Sequence, residues 1–453
     1  MPALFRLFPL FRSPSVACRL APLAIAFSLA AGAAHGQSAT EADLARRLDR
    51  LAAELSAVQT ELAALRQQQN ATAAVVAAQP AAPAAPAAAA ILTPATTPTT
   101  PTTPTTPATV LTSYGEINLN RPTRRPQDTQ ADLRRFVLGL QHRFDERTKL
   151  VAELEVEHAV VSAGDSGEVA LEQAYIEHQL NPTWALRAGL FLMPVGLLNE
   201  NHEPTAYFGV ERNHVETAII PSTWREGGVQ FVGAFDNGLT TNLGLTTGFD
   251  LNKWDATRSD GRASPLRSVH QELQLAKARE LALFGALNWR GVPGLQIGAS
   301  VFSGGATHGV AVAASRVTLW DAHVRWTPGR WDLSALYTRA TISNTAALNL
   351  PLVGSATLIP AAFDGSYLQA GYRLWRQGDY RLTPFVRWER YNTATRYAAL
   401  PAGLTPDASA AERAWTVGAS LQFAPGVVVK ADVQRYARDN ELDRINLGLG
   451  WSF

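Results

Sequence analysis

The chain contains almost no cysteine and no long apolar run. Its 453 residues include a single cysteine, Cys18. Cys18 precedes the N-terminal apolar segment instead of following it, so attachment of a lipid to a mature N-terminal cysteine is not expected. The chain after that segment cannot form a disulfide. No uninterrupted apolar run reaches the roughly 20 residues that a membrane-spanning helix needs, and the one candidate segment is N-terminal.

Concentrated positive charge is also missing. The chain has 40 Lys and Arg residues against 39 Asp and Glu residues. Without residues 1–36, which contain three arginines and no acidic residue, the balance is 37 to 39, a net charge of −2. Nucleic-acid binding usually requires a concentrated basic surface. Nucleic acid is therefore not an expected partner.

Residues 1–36 have the three parts of a secretory signal peptide. Arg6, Arg12 and Arg19 form the charged region, and an apolar segment follows over residues 20–31. Ala34-His35-Gly36 then resembles a small-residue cleavage site. The alternative, a short helical membrane anchor, fits less well because the apolar core has only about a dozen residues.

Residues 37–70 carry a heptad pattern. Apolar residues recur at alternating intervals of four and three, which is the seam of a coiled coil; they are Leu44, Leu48, Leu51, Leu55, Val58, Leu62 and Leu65. A helix over residues 41–69 is a rod of roughly 40 Å. Self-association through the seam is the favoured interpretation, and the alternative is one amphipathic helix lying on the rest of the protein.

Residues 71–110 consist mainly of Ala, Thr and Pro. Prolines recur about every third residue from Pro94 to Pro107, which suits an extended polyproline II conformation of about 3.1 Å per residue. This composition cannot form a packed core. The segment is therefore predicted to be a spacer that reaches on the order of 100 Å.

Residues 111–453 show short alternating segments typical of strands. Connections between them alternate between tight turns rich in Asn, Gly, Pro and Asp and longer loops, as in an outer-membrane barrel with turns on the periplasmic side. The prediction is an all-β fold, a transmembrane antiparallel β-barrel of about 16 strands, with 18 as the alternative. The predicted strands are 113–120, 133–143, 148–158, 169–180, 184–192, 224–233, 239–248, 280–290, 295–303, 316–327, 331–341, 366–376, 382–391, 414–423, 427–437 and 444–453. The eighth is the least regular, because residues 268–290 also fit a partly helical segment.

The last predicted strand, 444–453, ends on an aromatic residue. Alternate positions of 444–453 are apolar and are predicted to face lipid, namely Ile445, Leu447, Leu449, Trp451 and Phe453. A terminal aromatic residue on such a strand fits the aromatic girdle at the membrane edge. It also resembles the signal that the bacterial barrel-assembly machinery recognises, so that machinery is a predicted partner, together with outer-membrane lipid.

Several motifs of the barrel region resemble one family. They are Tyr114-Gly115-Glu116 with Asn120-Arg121-Pro122, residues 153–158 (ELEVEH), residues 172–177 (EQAYIE) and residues 189–196 (GLFLMPVG). Together they resemble bacterial outer-membrane porins of the phosphate-selective porin O and P type, over roughly 111–453. The resemblance implies a sixteen-stranded, water-filled barrel, usually a homotrimer, in which small polar or ionic solutes diffuse passively. The N-terminal coiled coil departs from that pattern, and a lysine-rich cluster for phosphate is absent.

The third long loop, residues 194–222, is the predicted pore constriction. Its position and length match the loop that folds into the lumen of large porins, and rings of charge at a constriction set ion preference. The candidate residues are Glu200, His202, Glu203, Glu211, Arg212, His214 and Glu216. The alternatives are solvated charges on an external loop, or a metal site, for which the spacing of Glu200, His202 and Glu203 is unsuitable.

Charged residues within strands are predicted to face the lumen, because a charge on the lipid face costs roughly 2–4 kcal/mol near the midplane. The acidic candidates are Glu153, Glu155, Glu157 and Glu177, and the basic ones are Arg187, Arg225, Arg325, Arg339 and Arg387, with Arg373 and Arg444 as further members. They either form a basic ladder for anions or pair with the acids and brace the wall. The preferred ion is left open.

The predicted function is therefore a porin in the bacterial outer membrane, with the N-terminal region in the periplasm. The alternative is a tether, in which coiled coil and spacer reach about 150 Å towards the cell wall, with or without a pore. An enzyme is not predicted, since no Gly-x-Ser-x-Gly motif and no Ser, His and acid grouping is apparent. Neither a cofactor nor a metal is expected.

Overall fold

The computed structural model describes residues 108–453, together with the single residue Ala53. The predicted signal peptide, the predicted coiled coil apart from Ala53, and the predicted linker up to residue 107 lie outside the described residues. The compact unit that contains the barrel is residues 102–453, and the description that follows concerns its described part alone.

The described residues form one antiparallel sheet that closes on itself. Strand β1 pairs with both β2 and β17, so the first and last strands complete the cylinder. Strands β12 and β13 both pair with β14 and are two parts of one interrupted strand. Counted in this way, the described barrel has sixteen strands. The strands are β1 (Thr109–Pro122), β2 (Gln130–Arg143), β3 (Thr148–Glu157), β4 (Val169–Gln179), β5 (Trp184–Leu192), β6 (Arg225–Ala234), β7 (Leu239–Thr246), β8 (Ala282–Trp289), β9 (Leu295–Gly305), β10 (Arg316–Trp326), β11 (Trp331–Ile342), β12 (Ala362–Tyr372), β13 (Trp375–Gln377), β14 (Tyr380–Arg396), β15 (Glu412–Ala424), β16 (Val427–Tyr436) and β17 (Arg444–Ser452). The predicted closed barrel of about 16 strands is confirmed.

The connections between successive strands of the barrel alternate in length. The short ones lie at one end, for example 144–147, 180–183 and 425–426, and the long ones at the other, for example 193–224 and 247–281. Gly426 has a φ of +73°, and a Cβ atom there would collide with the carbonyl oxygen of Ser452, so this turn requires glycine. In the uncertain segment 268–290 the structure has a 3₁₀ turn at Arg267–Val269 and then a regular strand, Ala282–Trp289.

Side chains on each strand alternate between the inside and the outside of the barrel. In β10, Asp321 and His323 are 1% and 5% exposed, whereas Trp320 and Trp326 are 41% and 47% exposed. The inner side is identified by Gly365, where a Cβ atom would meet Ile219 of the loop 193–224 inside the barrel. Exposed apolar residues therefore cover the outer wall, as a barrel in lipid requires.

A cluster of buried apolar residues lies inside the barrel. Trp224 stacks on Phe249 with ring centroids 5.0 Å apart and meets Phe302 edge-on at 4.8 Å. Phe191, Met193, Val215, Ile219 and Phe363 belong to the same buried cluster. The cluster joins the loop 193–224 to the inner wall, so the loop is fixed by apolar burial as well as by hydrogen bonds. Among the described residues, no helix has the length and apolar character needed to cross a membrane.

Candidate functional site

The loop that connects β5 to β6, residues 193–224 and here called the internal loop, crosses the barrel interior. The Val210 amide donates to Asp432 Oδ2 at 2.7 Å, and Lys430 Nζ donates to the Gly209 carbonyl at 2.9 Å, both on β16. The His214 amide donates to Glu389 on β14 at 2.5 Å. These contacts join the loop to strands that lie far from β5 and β6 around the cylinder.

Glu216 is buried and holds the internal loop in its folded form. Its Oε1 accepts from the amides of Leu197 and Leu198 at 2.6 and 2.8 Å. Its Oε2 accepts from Asn213 Nδ2 at 2.7 Å and from the Tyr367 hydroxyl at 3.0 Å. Burial raises the pKa of Glu216, although these hydrogen bonds act in the opposite direction. Such a saturated carboxylate supports the loop and has no acceptor capacity left for a solute.

His202 joins the beginning of the internal loop to β1 and β4. The Tyr114 hydroxyl lies 2.6 Å from Glu172 Oε2 and 2.7 Å from His202 Nε2, and His202 Nδ1 lies 2.8 Å from the Asn199 carbonyl. The Nδ1 atom must carry a proton to bind a carbonyl. The Tyr114 hydroxyl therefore links the His202 ring of the loop to the Glu172 carboxylate of β4.

Glu211 and Arg212 follow at the middle of the internal loop. Glu211 accepts from Asn120 Nδ2 at 2.8 Å. Burial raises its pKa, but the positive charges of Arg444, Arg134 and Arg135 together with the hydrogen bond from Asn120 have the larger effect, and the net result is a lowered pKa. Arg212 donates to the hydroxyls of Ser222 and Thr223 and to the His202 carbonyl, and so closes the loop on itself.

His214 lies against two tyrosines of the opposite wall. Its Nε2 is 2.8 Å from the Tyr436 hydroxyl, and its ring stacks on Tyr391 with centroids 5.3 Å apart. Burial lowers the pKa of His214, which favours the neutral imidazole. Glu200 and Glu203, the other two candidates from the sequence, are exposed.

Two cavities lie on opposite sides of the internal loop. The first, of about 440 Å³, is lined by residues near the long loops, such as Glu168, Lys253 and His270. The second, of about 230 Å³, is lined by residues near the short turns, such as Thr327 and Arg373. Tyr207 lines both cavities. Glu211, Arg212 and His214 line the first cavity, whereas Glu200, His202, Glu203 and Glu216 line neither of these two.

Tyr207 is surrounded by charged groups that are not among the candidate residues predicted from the sequence. Its hydroxyl donates to Glu116 Oε2 at 2.7 Å, while Arg135 Nε donates to Glu116 Oε1 at 2.9 Å. Lys430 Nζ lies 3.7 Å from the centre of the Tyr207 ring, a cation–π contact. The sequence does contain a signal that could have identified Lys430 as lumenal. In the alternation of β16, Lys430 and Asp432 occupy inward positions between apolar neighbours.

Most of the predicted lumenal charges occur as ion pairs. Arg135 contacts Glu155 at 3.2 Å and Glu157 at 3.8 Å, and Arg187 contacts Glu177 at 2.6 Å. Glu153 accepts from Gln173 Nε2 at 2.7 Å. The remaining pairs are Arg225 with Glu272 at 3.0 Å, Arg325 with Asp332 at 2.8 Å and Arg387 with Glu389 at 2.8 Å. This arrangement fits the bracing alternative better than a free basic ladder.

Arg339 lies on the outer face, in contrast to the inward position predicted for it. The register pairs Thr338 with Gly365, which faces the internal loop, and pairs Arg339 with Asp364 on the opposite face. The Arg339–Asp364 pair, at 3.1 Å, makes the outward charge tolerable. A charge on the outer wall is less costly near the end of a strand than at its centre.

The closing strand has its apolar residues on the outer face. Gly448 points inward, since a Cβ atom there would meet Val210 of the internal loop at 3.0 Å. By alternation the five apolar positions point outward, and four of them, Ile445, Leu447, Leu449 and Phe453, are exposed, while Trp451 is half-buried. In the described part of the chain, no group of three or more His, Cys, Asp or Glu side chains is placed to hold a metal ion.

Comparisons with known proteins agree with this architecture. The family model described as "Phosphate-selective porin O and P" matches residues 110–216. An uncharacterised protein of Aquifex aeolicus (strain VF5) is 31% identical over 354 residues, which cover 75% of this chain and 79% of the relative. Among solved structures, Salmonella typhi OmpF in complex with daunomycin superposes with a TM-score of 0.54 at 12% identity, over 76% of this chain and 97% of that one. The outer membrane channel DcaP of Acinetobacter baumannii gives a TM-score of 0.48 at 13% identity, over 76% and 97% of the two chains.

Proposed function

We propose that this chain, which belongs to the outer-membrane porin family described as phosphate-selective porin O and P, is a passive diffusion channel whose narrowest section lies at Tyr207. The main support for this proposal is that Tyr207 lines the cavities on both sides of the internal loop. A solute that moves from one cavity to the other passes the Tyr207 ring and the Lys430 ammonium above it. Both the family and the fold favour a channel over an enzyme.

The charges along this path favour a modest preference for anions. The cavity near the long loops is lined by seven Lys and Arg residues and six Glu residues, and the cavity near the short turns by three Arg residues and one Asp. Most of these charges are paired, so the net field is small. The proposal is therefore a small excess of anion over cation permeation, and it does not include a dedicated phosphate site.

Planar bilayer recording of the purified full chain tests both parts. Stepwise conductance is expected, and the reversal potential in a KCl gradient should have the sign of weak anion preference. A barrel without conductance steps would overturn the channel, and a cation-selective reversal potential would overturn the charge argument alone.

A charge variant of the second cavity sharpens the test. Arg373 and Arg381 line that cavity, and replacing both by Gln should shift the reversal potential towards cation preference. The matched control replaces Arg143 and Arg147, exposed residues at the end of β2 and in the turn that follows it. It removes the same formal charge and should leave the reversal potential unchanged.

A second proposed function concerns the N-terminal region. The first described residues enter β1 at the end of the barrel that carries the short turns, where Ser113 and Phe453 exchange backbone hydrogen bonds. A spacer that enters at this end extends into the periplasm if the short turns face it, as they do in such barrels. This supports the proposal of contact with the cell wall, while the heptad pattern of residues 37–70 supports the proposal of a homotrimer joined by a coiled coil. Deleting residues 37–108 and measuring envelope integrity tests the contact, which is contradicted if integrity is unchanged.

A further inference from the structure

Arginine side chains form a cluster on the outer wall of the barrel, at the end that carries the long loops. Arg339 and Arg390 both contact Asp364, at 3.1 and 2.7 Å, so one carboxylate is shared by two guanidinium groups. Arg390 lies opposite Arg413 in the register of β14 and β15. Arg413 is exposed, and its side chain takes part in none of the ion pairs found among the described residues.

The cluster continues onto β16. Arg435 lies opposite Trp415 on the outer face and contacts Asp443 at 3.0 Å. The outer cluster, defined as Arg339, Arg390, Arg413 and Arg435 with Asp364 and Asp443, therefore has four positive and two negative charges. Arg435 keeps 57% of its side chain exposed, and Arg390 keeps 37%. Donor capacity remains on these guanidinium groups after the ion pairs are made.

An apolar trough runs along the outer wall from this cluster. Two adjoining grooves, of about 520 and 570 Å³, share Val324, Ala335, Leu368 and Trp388 and so form one continuous depression. Its upper end contains Tyr337 and Ser366, which lie directly opposite each other, with Ser366 also opposite Arg390. Its lower end reaches Trp326, beside the short turn 327–330. From Arg339 to Leu333 the strand rises roughly 20 Å, comparable to an extended acyl chain.

We propose that the outer cluster and the trough bind a phosphorylated lipid of the outer leaflet. The phosphate groups lie between Arg390, Arg413 and Arg435, and an acyl chain occupies the trough. Guanidinium groups bind phosphate oxygens in bidentate fashion, and the net positive charge of the cluster complements an anionic headgroup at the membrane surface. A neutral lipid would use the trough but would leave the guanidinium groups without an anion.

The test measures binding of a bis-phosphorylated disaccharide lipid to the detergent-solubilised full chain by native mass spectrometry. The same lipid after enzymatic removal of its phosphates is the comparison probe. The wild-type protein should prefer the phosphorylated probe at least tenfold. Replacing Arg390 and Arg413 by Gln should weaken binding of this probe by roughly thirtyfold and leave the dephosphorylated probe unaffected.

The control variant R143Q/R147Q removes the same charge at the other end of the barrel and should bind the phosphorylated probe like the wild type. Ala335→Phe fills the trough and should weaken both probes. Single-channel conductance of R390Q/R413Q should equal that of the wild type, since neither residue lines the two lumenal cavities. This shows that the variant barrel is folded, and it separates failure of lipid binding from failure of the channel.

Several results overturn the proposal. One is equal affinity of the wild type for the two probes. Another is an equal loss of binding in the control variant, which would indicate a general charge effect. A third is cross-linking that places a second copy of this chain over the trough in lipid-saturated protein, because the occupant would then be protein instead of lipid.

Discussion

At the scale of single residues, Tyr207 is the side chain whose removal has the clearest expected effect. Tyr207→Ala removes the ring that separates the two cavities, while Glu116 keeps its ion pair with Arg135. Single-channel conductance should rise by about twofold as the path widens. Tyr207→Phe is the matched control, since it keeps the ring and loses only the hydroxyl bond to Glu116. If both variants conduct like the wild type, the narrowest section lies elsewhere.

Glu211 predicts an acid dependence of the internal loop. Burial raises the pKa of Glu211, but Arg444 and Arg134, with the further help of Asn120 and Arg135, outweigh burial and lower the folded-state pKa from 4.5. A lowered pKa means that the stabilisation of the docked loop is complete above 4.5 and is lost as the pH falls through the folded-state value. Open-channel noise should therefore increase on acidification.

Glu211→Gln provides the comparison for this acid dependence. The variant should be noisier than the wild type at neutral pH, because the attraction to Arg444 is gone, and its noise should change less between pH 7 and pH 3. Equal pH profiles for the two proteins would show that other carboxylates cause the acid response.

Sequence reasoning found the region of the site but few of the residues that line it. Composition and position identified the internal loop, and Glu211, Arg212 and His214 do line a cavity. Sequence reasoning missed Tyr207 and Lys430, which meet only because the internal loop crosses the barrel to β16. The bonded residues Gly209 and Lys430 are more than 220 positions apart in the sequence. The same reasoning also put Arg339 inside, because the partner Asp364, on the next strand, makes an outward arginine acceptable.

At the scale of elements, the closing strand predicts a sensitivity of assembly to Phe453. The Phe453 amide donates to the Ser113 carbonyl at 2.9 Å, and the Ser113 amide donates back at 3.1 Å. Deleting Phe453 removes the last pair of bonds at the seam and the exposed aromatic ring at the membrane edge. The yield of assembled, heat-modifiable barrel in the outer membrane should fall severalfold.

Phe453→Tyr is the control for the closing strand, since it keeps both the backbone bonds and an aromatic ring. Its yield should match the wild type, and the assembled fraction of the deletion variant should show normal conductance. Assembly of the deletion variant at wild-type levels would contradict the role given to this residue.

Strands were more predictable than loops, because alternation is a local property of the sequence. The predicted segment 184–192 matches β5 (Trp184–Leu192) to the residue, and the uncertain eighth strand is Ala282–Trp289. The strand predicted at 366–376 is interrupted at Arg373-Leu374 and starts earlier than predicted, at Ala362. Its first residues are buried under the internal loop, where Phe363 and Val215 share the apolar cluster, and alternation contains no information about that contact.

At the scale of the whole molecule, the barrel should assemble and conduct without the N-terminal region. The described barrel closes through β1 and β17 and contains its own apolar cluster, so a chain that lacks residues 37–108 should assemble and conduct as the full chain does. The heptad pattern of 37–70 predicts self-association. The truncated chain should therefore dissociate at lower detergent concentration or lower temperature than the full chain, measured by the sedimentation of both proteins.

A matched variant separates the coiled coil from the spacer in that experiment. Replacing Leu51 and Leu55 by Asp disrupts the heptad seam but keeps the length of the chain, whereas deleting 71–107 keeps the seam and removes the reach. Loss of the oligomer in the seam variant alone would assign association to the coiled coil. An oligomer that survives in both variants and in the full truncation would instead be held by the outer walls of the barrels, and the trough over β10 to β15 would then be the first surface to cross-link.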